Sequence, residues 1–544
     1  MQLTAPIANT LWAASNLPAY RRFRLALRQP QVAQRRRLRD LLRRNAQTAF
    51  GKAHQFDSIH SYEEFANRIP LADYNDFAPW IARIRRGEPQ VLTLERVTHL
   101  VPTSGSTGGR KLIPFTAGLQ QEFNAAIAPW LMDLLSHVPD LLGGPAYWSI
   151  TPVMHETKVE DSVVPIGFDA DTAYLAGHRR RLAEAVMAVP TSVARSESIE
   201  TFRYQTLLHL LRCRELRLIS VWHPSFLMLL LEDLPMYWEH LLADIQCGTN
   251  FTLARQDRAR ELSRANPLQP ETLWPTLRVV SCWGDAAAGF PMNQLRGRFP
   301  NVLLQPKGLI ATEAFVTLPF KGQHPVAITS HFFEFIDSEG HVHPVESLHE
   351  GEIYEVVVTT AGGLWRYHLG DRVRVTGFIA ETPSLKFLGR RGNVSDIFGE
   401  KLSEQFVCEV LREVFGSSKP RFVLLAPDHD EDGCHYTLYV EGEVTPHWAR
   451  AIDHGLRKNP HYAYCRKLSQ LLPLRLFSVA GQGYEIFIQH EGANGARLGD
   501  VKPSMLSCKS TWSRVFRGQY VSEYEENCPA GPISCAPAKA SSRE

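Results

Sequence analysis

The nine residues Thr103-Ser104-Gly105-Ser106-Thr107-Gly108-Gly109-Arg110-Lys111 bring four hydroxyls, three glycines and two cations into one stretch. Glycines allow positive φ and close approach of the backbone to a ligand. Successive backbone N–H groups in such a turn form an anion-binding nest. Hydroxyls donate to phosphate oxygens, and Lys111 adds a point charge. The strand-like run Thr98-His99-Leu100-Val101 precedes the loop, and Phe115 to Leu135 reads as a helix with a kink at Pro129. Strand, loop and helix together point to triphosphate binding. The Walker A loop is excluded by spacing, because Lys111 is followed by Leu112 and no Ser or Thr is placed for magnesium. Alone, the stretch would read equally well as a flexible surface turn.

The elements that must position this loop follow from the rest of the chain. Its 544 residues suffice for two or more domains. Hydrophobic content of 44%, charged content of 21% and a formal charge of +2 describe a soluble globular protein and give no case for nucleic acid as a partner. Nine scattered cysteines without CxxC pairs fit a reducing, cytoplasmic setting. His341-Val342-His343 reads as a turn rather than a metal site. No run reaches the roughly 18 apolar residues of a membrane span. The first 39 residues hold eight arginines and no acid. A transit peptide and a membrane-surface helix are alternatives there, but a solvated basic helix is the favoured reading.

Gln31 to Gly51 reads as a helix ended by glycine. β-type runs at Ala146–Thr151, Leu218–Trp222, Arg278–Cys282 and Val302–Gln305 alternate with helical stretches at Phe202–Leu216 and Ser225–Leu234. That alternation predicts an α/β domain with parallel pairing. From Ala327 onward, Phe332–Ile336, Ile353–Thr359 and Val373–Phe378 predict a mostly antiparallel subdomain. After Leu388 the pattern restarts: helices at Ser403–Phe415 and Pro446–Leu456, strands at Phe422–Ala426, Tyr436–Val440 and Tyr484–Gln489. The expected organisation is a large domain over 1–388, a hinge at 389–392, a small mobile α+β domain over 393–527 and a disordered tail over 528–544.

Three further stretches follow the phosphate loop in order: Gly308-Leu309-Ile310-Ala311-Thr312-Glu313, then Leu364-Trp365-Arg366-Tyr367-His368-Leu369-Gly370-Asp371, then Gly495-Ala496-Arg497-Leu498-Gly499-Asp500-Val501-Lys502-Pro503. This ordered set resembles the adenylate-forming superfamily. Thr48-Ala49-Phe50-Gly51-Lys52, Phe56-Asp57-Ser58-Ile59, Tyr62-Glu63-Glu64-Phe65 and Ser330-His331-Phe332-Phe333-Glu334-Phe335 are closer to one branch, the auxin-responsive acyl-acid amido synthetases and their bacterial relatives. The resemblance spans roughly residues 30 to 520. Ser and Thr are exchanged at some motif positions, but hydroxyls remain at Thr103, Ser104, Ser106, Thr107 and Thr312.

The resemblance implies adenylation of a carboxylic acid by ATP with Mg²⁺, then transfer of the acyl group to an amine such as an amino acid. Ser104, Gly105, Ser106, Thr107, Gly108 and Lys111 would cradle the phosphates. Thr312 would reach the α-phosphate and Glu313 would bind Mg²⁺. Asp371 would accept both ribose hydroxyls. Ser281-Cys282-Trp283-Gly284-Asp285 and Lys307-Gly308-Leu309 would line the adenine slot. Lys502 would be the mobile catalytic lysine, and Gly389-Arg390-Arg391-Gly392 the hinge. A thioester-forming ligase on the same scaffold, such as an acyl-CoA ligase, is the alternative. A catalytically idle nucleotide-binding protein is a second one, opposed by the intact set Lys111, Glu313, Asp371 and Lys502.

Overall fold

A computed structural model describes residues 4–103, 111–149, 162–167, 177–196, 198–249, 252–390, 394–416, 418, 420–430, 432–492, 504–510 and 512–521. The chain opens with α1 (Thr4–Ala26) and α2 (Pro30–Asn45). These arginine-rich helices are not simply solvated. Ala5, Ala8 and Trp12 pack against Leu131, Ala183 and Val186, and Arg37 reaches the buried carboxylate of Glu122. The single helix expected over Gln31–Gly51 is broken after Asn45, and α3 (Ala49–Ala53) restarts beyond it. The reason is Thr48, an extended residue whose hydroxyl accepts from Gly51 N–H as an N-cap. α4 (Tyr62–Arg68) is capped by Ser61, and α5 (Tyr74–Arg85) by a reciprocal Asp73/Asp76 capping box.

β1 (His99–Pro102) and β2 (Leu112–Phe115) pair antiparallel and carry the hydroxyl- and glycine-rich loop between them. α6 (Ala117–His137) follows, started by the Thr116 side chain and continuing past Pro129. Then β3 (Ala146–Trp148), α7 (Gly177–Val186), α8 (Ile199–Arg212), β4 (Leu218–Ser220) and α9 (Pro224–Cys247) alternate. After the short α10 (Gln256–Leu262) and α11 (Pro270–Leu273) come β5 (Val279–Trp283), α12 (Gly289–Arg298) and β6 (Leu303–Lys307). The four strands β3 to β6 form one parallel sheet in sequence order. One face of it buries Tyr147, Ile219, Val221, Val280 and Cys282 against the helices.

The expected antiparallel subdomain is present. β7 (Phe332–Ile336), β8 (Val342–Pro344), β9 (Ile353–Thr359), β10 (Tyr367–Ile379) and β11 (Thr382–Arg390) form a five-stranded sheet in the order β11-β10-β9-β7-β8. The turn expected at His341-Val342-His343 holds only for His341, which lies in the β7–β8 connection; Val342 and His343 belong to β8, and His343 Nε2 is 2.7 Å from Asp337 Oδ2. That contact holds Asp337 well below the usual carboxylate range, assisted by backbone donors. The sheet shares a core with the N-terminal helices, through Phe50, Phe65, Phe332, Trp365 and Tyr367 among others.

Beyond β11, β12 (Val394–Ser395) pairs with β13 (Leu402–Ser403), followed by α13 (Glu404–Phe415), β14 (Phe422–Asp430), β15 (Gly433–Glu441), α14 (His447–Leu456) and α15 (Pro460–Lys467). β16 (Arg475–Val479), α16 (Gly483–Gly492), α17 (Trp512–Val515) and β17 (Gly518–Tyr520) complete the described chain. The strand expected at Tyr484–Gln489 is therefore wrong: that segment is α16. Its β-branched and aromatic residues suggest a strand, but Phe487 and Ile488 bury against Phe422 and Trp512 on one helical face. Gly483 N–H is held by Glu441 at 2.7 Å. The strand of this region is β16, parallel to β15. No helix among the described residues is long and apolar enough to cross a membrane.

Candidate functional site

The hairpin that presents the phosphate-type loop is closed at its neck. Pro102 pairs with Leu112, and Thr103 N–H donates to Lys111 O at 2.9 Å. Leu112 N–H donates to the Tyr74 hydroxyl at 2.8 Å, and Lys111 Nζ lies 5.9 Å from the Tyr74 ring centroid. The capped start of α5 thus fixes where the loop departs. Ser104, Gly105, Ser106, Thr107 and Gly108 themselves lie outside the described residues, as does Lys502.

Thr312 and Glu313 occupy the tip of a second, tighter hairpin. Ala311 N–H donates to Ala314 O at 2.9 Å, Val316 N–H to Leu309 O at 3.0 Å, and Ile310 bridges Phe315. Gly308 enters this hairpin with no room for a side chain: a Cβ there would lie 2.3 Å from Thr317 Oγ1, which itself accepts from Leu309 N–H at 2.7 Å. A buried polar chain holds the tip from behind. Phe315 N–H donates to His331 Nε2 at 3.0 Å, and His331 Nδ1 is 3.0 Å from Glu122 Oε2. Glu122 also accepts from Ala361 N–H at 2.9 Å and pairs with Arg37. Burial opposes its charge, but His331 and Arg37 outweigh burial and lower its pKa. Sequence reasoning missed this support, although a glutamate within the apolar run of α6 was its visible sign.

Asp371 lies inside β10, upstream of the run Val373–Phe378 that announces the strand. The pairing of β10 with β9 loses register between His368 and Arg372, and Gly370 takes φ +75° within that irregularity. Such bulges re-aim side chains. Asp371 is fully buried, and its Oδ1 accepts from Arg390 Nε at 3.0 Å. Its Oδ2 is buried with no hydrogen-bond partner among the described residues. Arg390 is its direct neighbour across the β10–β11 ladder, and its pKa is raised by the charge of Asp371 and, to a lesser degree, of Glu313. Gly389 and Arg390 are thus the last residues of β11, and Arg391 and Gly392 of the expected hinge lie outside the described residues. Tyr367 joins the groups electrostatically: burial and the charge of buried Glu313 raise its pKa, while Arg390 lowers it.

Trp283 ends β5 and lies beside Lys307 at the end of β6. Its ring is 5.7 Å from that of Trp222. Gly284 is closely packed, since a Cβ would lie 2.6 Å from Met292 Sδ and 2.9 Å from the rigid Pro306 Cβ. Asp285 Oδ2 accepts from Phe387 N–H at 3.2 Å, tying this turn to β11, and burial raises its pKa. Cys282 faces the apolar core, where burial pushes its thiol up to about 12. Lys307 is buried. Its Nζ donates to Val221 O at 2.8 Å, and burial pushes its pKa down to about 7.

The chain's segmentation into matched units decides its kinship. The GH3 family N-terminal domain matches residues 19–304, the central domain 324–390 and the C-terminal domain 406–511. The chain belongs to the GH3 family. Among its relatives, the indole-3-acetic acid-amido synthetase GH3.2 of Arabidopsis thaliana is 24% identical over 470 residues, covering 77% of this chain and 83% of that one. The putative indole-3-acetic acid-amido synthetase GH3.10 of Oryza sativa subsp. japonica is 26% identical over 482 residues, covering 82% and 97%. The solved AtGH3.15 acyl acid amido synthetase in complex with 2,4-DB superposes with a TM-score of 0.81 at 19% identity, over 92% and 95% of the chains. A 2-hydroxyisobutyryl-CoA ligase in its postadenylation state superposes at 0.52 with 13% identity, over 88% and 90%. The GH3 fold is therefore that of adenylate-forming enzymes.

The site suits a nucleotide and a hard cation. Asp371 Oδ2 is a buried acceptor awaiting a donor, as a ribose hydroxyl would supply. Among the described residues no cluster of three His, Cys, Asp or Glu forms a metal cage. Mg²⁺ does not need one, because it is commonly held by one or two carboxylates plus substrate phosphates.

Proposed function

We propose that this GH3 protein couples a carboxylic acid to the amine of an amino acid, using ATP and releasing AMP and pyrophosphate. The observation that carries the reading is Asp371: one carboxylate oxygen held by Arg390, the other buried and unpaired among the described residues, in electrostatic reach of the Glu313 hairpin. A carboxylate oxygen of the acid attacks the α-phosphorus, and the bond to pyrophosphate breaks. The acyl carbon of the resulting adenylate is then attacked by the amine nitrogen, which loses a proton as AMP departs. Thr312 donates to the α-phosphate, and the loop from Ser104 to Lys111 holds the β- and γ-phosphates. Glu313 would hold Mg²⁺, which when bound neutralises phosphate charge. Trp283, Gly284, Asp285 and Gly308 border the adenine.

The test is a screen of acids for ATP cleavage, with products separated by chromatography. AMP and pyrophosphate are expected, and ADP with phosphate would sink the adenylation reading. Supplied with amino acids or CoA, the acyl-adenylate should give an amide and no thioester. The reverse pattern by mass spectrometry would make the protein a thioester-forming ligase. Asp371→Ala should weaken nucleotide binding by about 1.5–3 kcal/mol, the worth of a hydrogen bond to a charged group. Calorimetric titration with ATP measures it, and unchanged affinity would remove Asp371 from the site.

A further inference from the structure

Helix α1 buries one side and exposes another that is also apolar. Ala5, Ala8, Trp12 and Phe23 face the protein, and the rings of Trp12 and Phe23 meet those of Trp148 and Phe320. At 3.6 residues per turn, Ile7, Leu11, Ala14, Pro18 and Leu25 fall on the opposite side, within an arc of about 60°. All five are exposed, Ile7 by 62%, Leu11 by 54% and Leu25 by 71%. A helix that is hydrophobic all round is normally buried on every side. On α1 the outward stripe runs most of the helix length with no cover among the described residues.

Cations border the stripe. Arg21 and Arg22 stand on either side of it, Arg24 lies further round against the Tyr20 ring, and Arg28 follows in the turn before α2. All four are exposed. Between Thr4 and Asn45 there are ten arginines and a single carboxylate, Asp40, which Arg43 faces at 3.8 Å. The cover must therefore be anionic and apolar at once. A second copy of the chain suits poorly. A stripe of about 35 by 10 Å would bury roughly 700 Å² over two copies, against the roughly 1,200 Å² of a stable interface. Nucleic acid would engage the arginines but not the stripe, because bases stack on aromatic rings and the five stripe residues include none. An anionic bilayer answers both features. Its phosphates accept from guanidinium forks, and its headgroup–acyl boundary takes aliphatic side chains.

We propose that the outward face of α1 docks on an anionic lipid surface, with the helix lying in the plane of the headgroups. Ile7, Leu11, Pro18 and Leu25 enter the headgroup–acyl boundary, to the depth of about 5–10 Å usual for an interfacial helix. Arg21, Arg22 and Arg28 reach lipid phosphates, their aliphatic stems lying along the boundary. The other side of α1 is already packed on Leu131 of α6 and on Ala183 and Val186 of α7, so no folding step accompanies docking. A few apolar side chains and a few surface charges make the attachment reversible and salt-sensitive. Membrane docking does not depend on the adenylation reading.

The test floats the full chain on a density gradient with vesicles of phosphatidylcholine, or of phosphatidylcholine with about one-third phosphatidylserine. The protein should rise with the anionic vesicles and much less with the neutral ones. Binding should weaken in about 1 M salt, where the Debye length falls to about 3 Å. Ile7→Gln combined with Leu11→Gln should weaken anionic-vesicle binding by at least about tenfold. Arg21→Gln combined with Arg22→Gln should weaken it by about fivefold for each charge lost. All four side chains are exposed, so melting temperatures should be unchanged. Ala14→Leu enlarges the stripe at little cost in helix propensity and should tighten binding by about tenfold, a gain that loss of fold cannot produce. Failure to float with anionic vesicles, equal flotation with neutral ones, or binding indifferent to the Ile7 and Leu11 substitutions overturns the proposal. A dimer in sedimentation velocity that the Ile7 and Leu11 substitutions dissolve would name a second copy as the occupant and overturn it. A duplex DNA complex that the arginine substitutions dissolve would name nucleic acid and overturn it as well.

Discussion

Lys502→Ala is expected to slow acyl-adenylate formation by about 10²–10³-fold, the cost of removing one preorganised transition-state donor, while ATP affinity stays nearly unchanged. Lys502 lies in the last of the four ordered motifs, outside the described residues. The proposed task is to bridge the acid carboxylate and the α-phosphate as charge builds between them. An interaction made mainly in the transition state lowers kcat rather than ground-state binding. Pyrophosphate release in a single turnover measures the first half-reaction. The second half-reaction, from chemically prepared acyl-adenylate and an amino acid, should survive, provided rotation carries Lys502 away for that step.

The described contacts suit such a rotation. The C-terminal domain has its own apolar clusters, around Val407, Leu438 and Trp448 and around Phe422, Phe487 and Trp512. It meets the parallel-sheet domain through polar contacts such as Arg203–Glu485, Gln294 to Pro420 O at 2.8 Å, and Arg412 to Ala286 O at 3.0 Å, with Leu229 packing on the second cluster. Loss of both half-reactions in a folded Lys502→Ala protein would argue against exchange of roles by rotation. An unchanged first half-reaction would show that the C-terminal motif is misassigned.

Much of the fold could be read from local pattern. Phe332–Ile336 and Ile353–Thr359 are strands with the bounds their β-branched and aromatic runs suggest. Three of the four parallel strands fall within two residues of the apolar runs that announce them, and β3 starts with its run at Ala146 but ends at Trp148. Tertiary context overrode pattern at α16, where a strand-like sequence became helical to pack against Phe422 and Trp512. The break after Asn45 turned on one hydroxyl, that of Thr48, which periodicity does not weigh.

The candidate site was legible where a fixed order of residue types along the chain proposes it. That order proposes Thr312 and Glu313, and also Asp371. Its setting was not legible, because the bulge at Gly370 and the ladder partner Arg390 depend on strand register, which no short motif encodes. The Arg37–Glu122–His331 chain could not be assembled from the one visible sign, Glu122, for a similar reason: Arg37 and Glu122 are 85 residues apart and its members come together only through packing. The course of the Lys307 side chain was not legible, since it runs across β5 to Val221 rather than along its own turn.

Arg366→Ala is expected to destabilise the protein by about 3–5 kcal/mol, the usual consequence of removing one partner of a buried ion pair. Arg366 and Glu334 are both buried, with Nε 3.0 and 3.1 Å from the two carboxylate oxygens and Nη2 2.9 Å from Oε1. Nη1 donates to the carbonyls of Ala66 and Ile69, each at 2.7 Å, which fastens the end of α4 to the sheet. Tyr62 donates to Glu334 at 3.0 Å. Truncation therefore leaves the Glu334 charge without its counter-ion, with Tyr62 its remaining donor, and removes the Arg366 donors from two carbonyls at once. Arg366→Lys should rescue little, because an ammonium cannot reproduce the fork that serves both partners. Arg366 also holds φ +47°, unfavourable for a side chain, so Arg366→Gly should be more stable than Arg366→Ala by about 1 kcal/mol. Urea unfolding followed by emission from tryptophans, including neighbouring Trp365, ranks the three variants. A loss below about 1 kcal/mol in Arg366→Ala would place the ion pair among those that contribute nothing to stability. Arg366 precedes Tyr367 and stands five residues before Asp371 on β10, so a real loss should be accompanied by weaker ATP binding, even though Arg366 touches no part of the proposed nucleotide site.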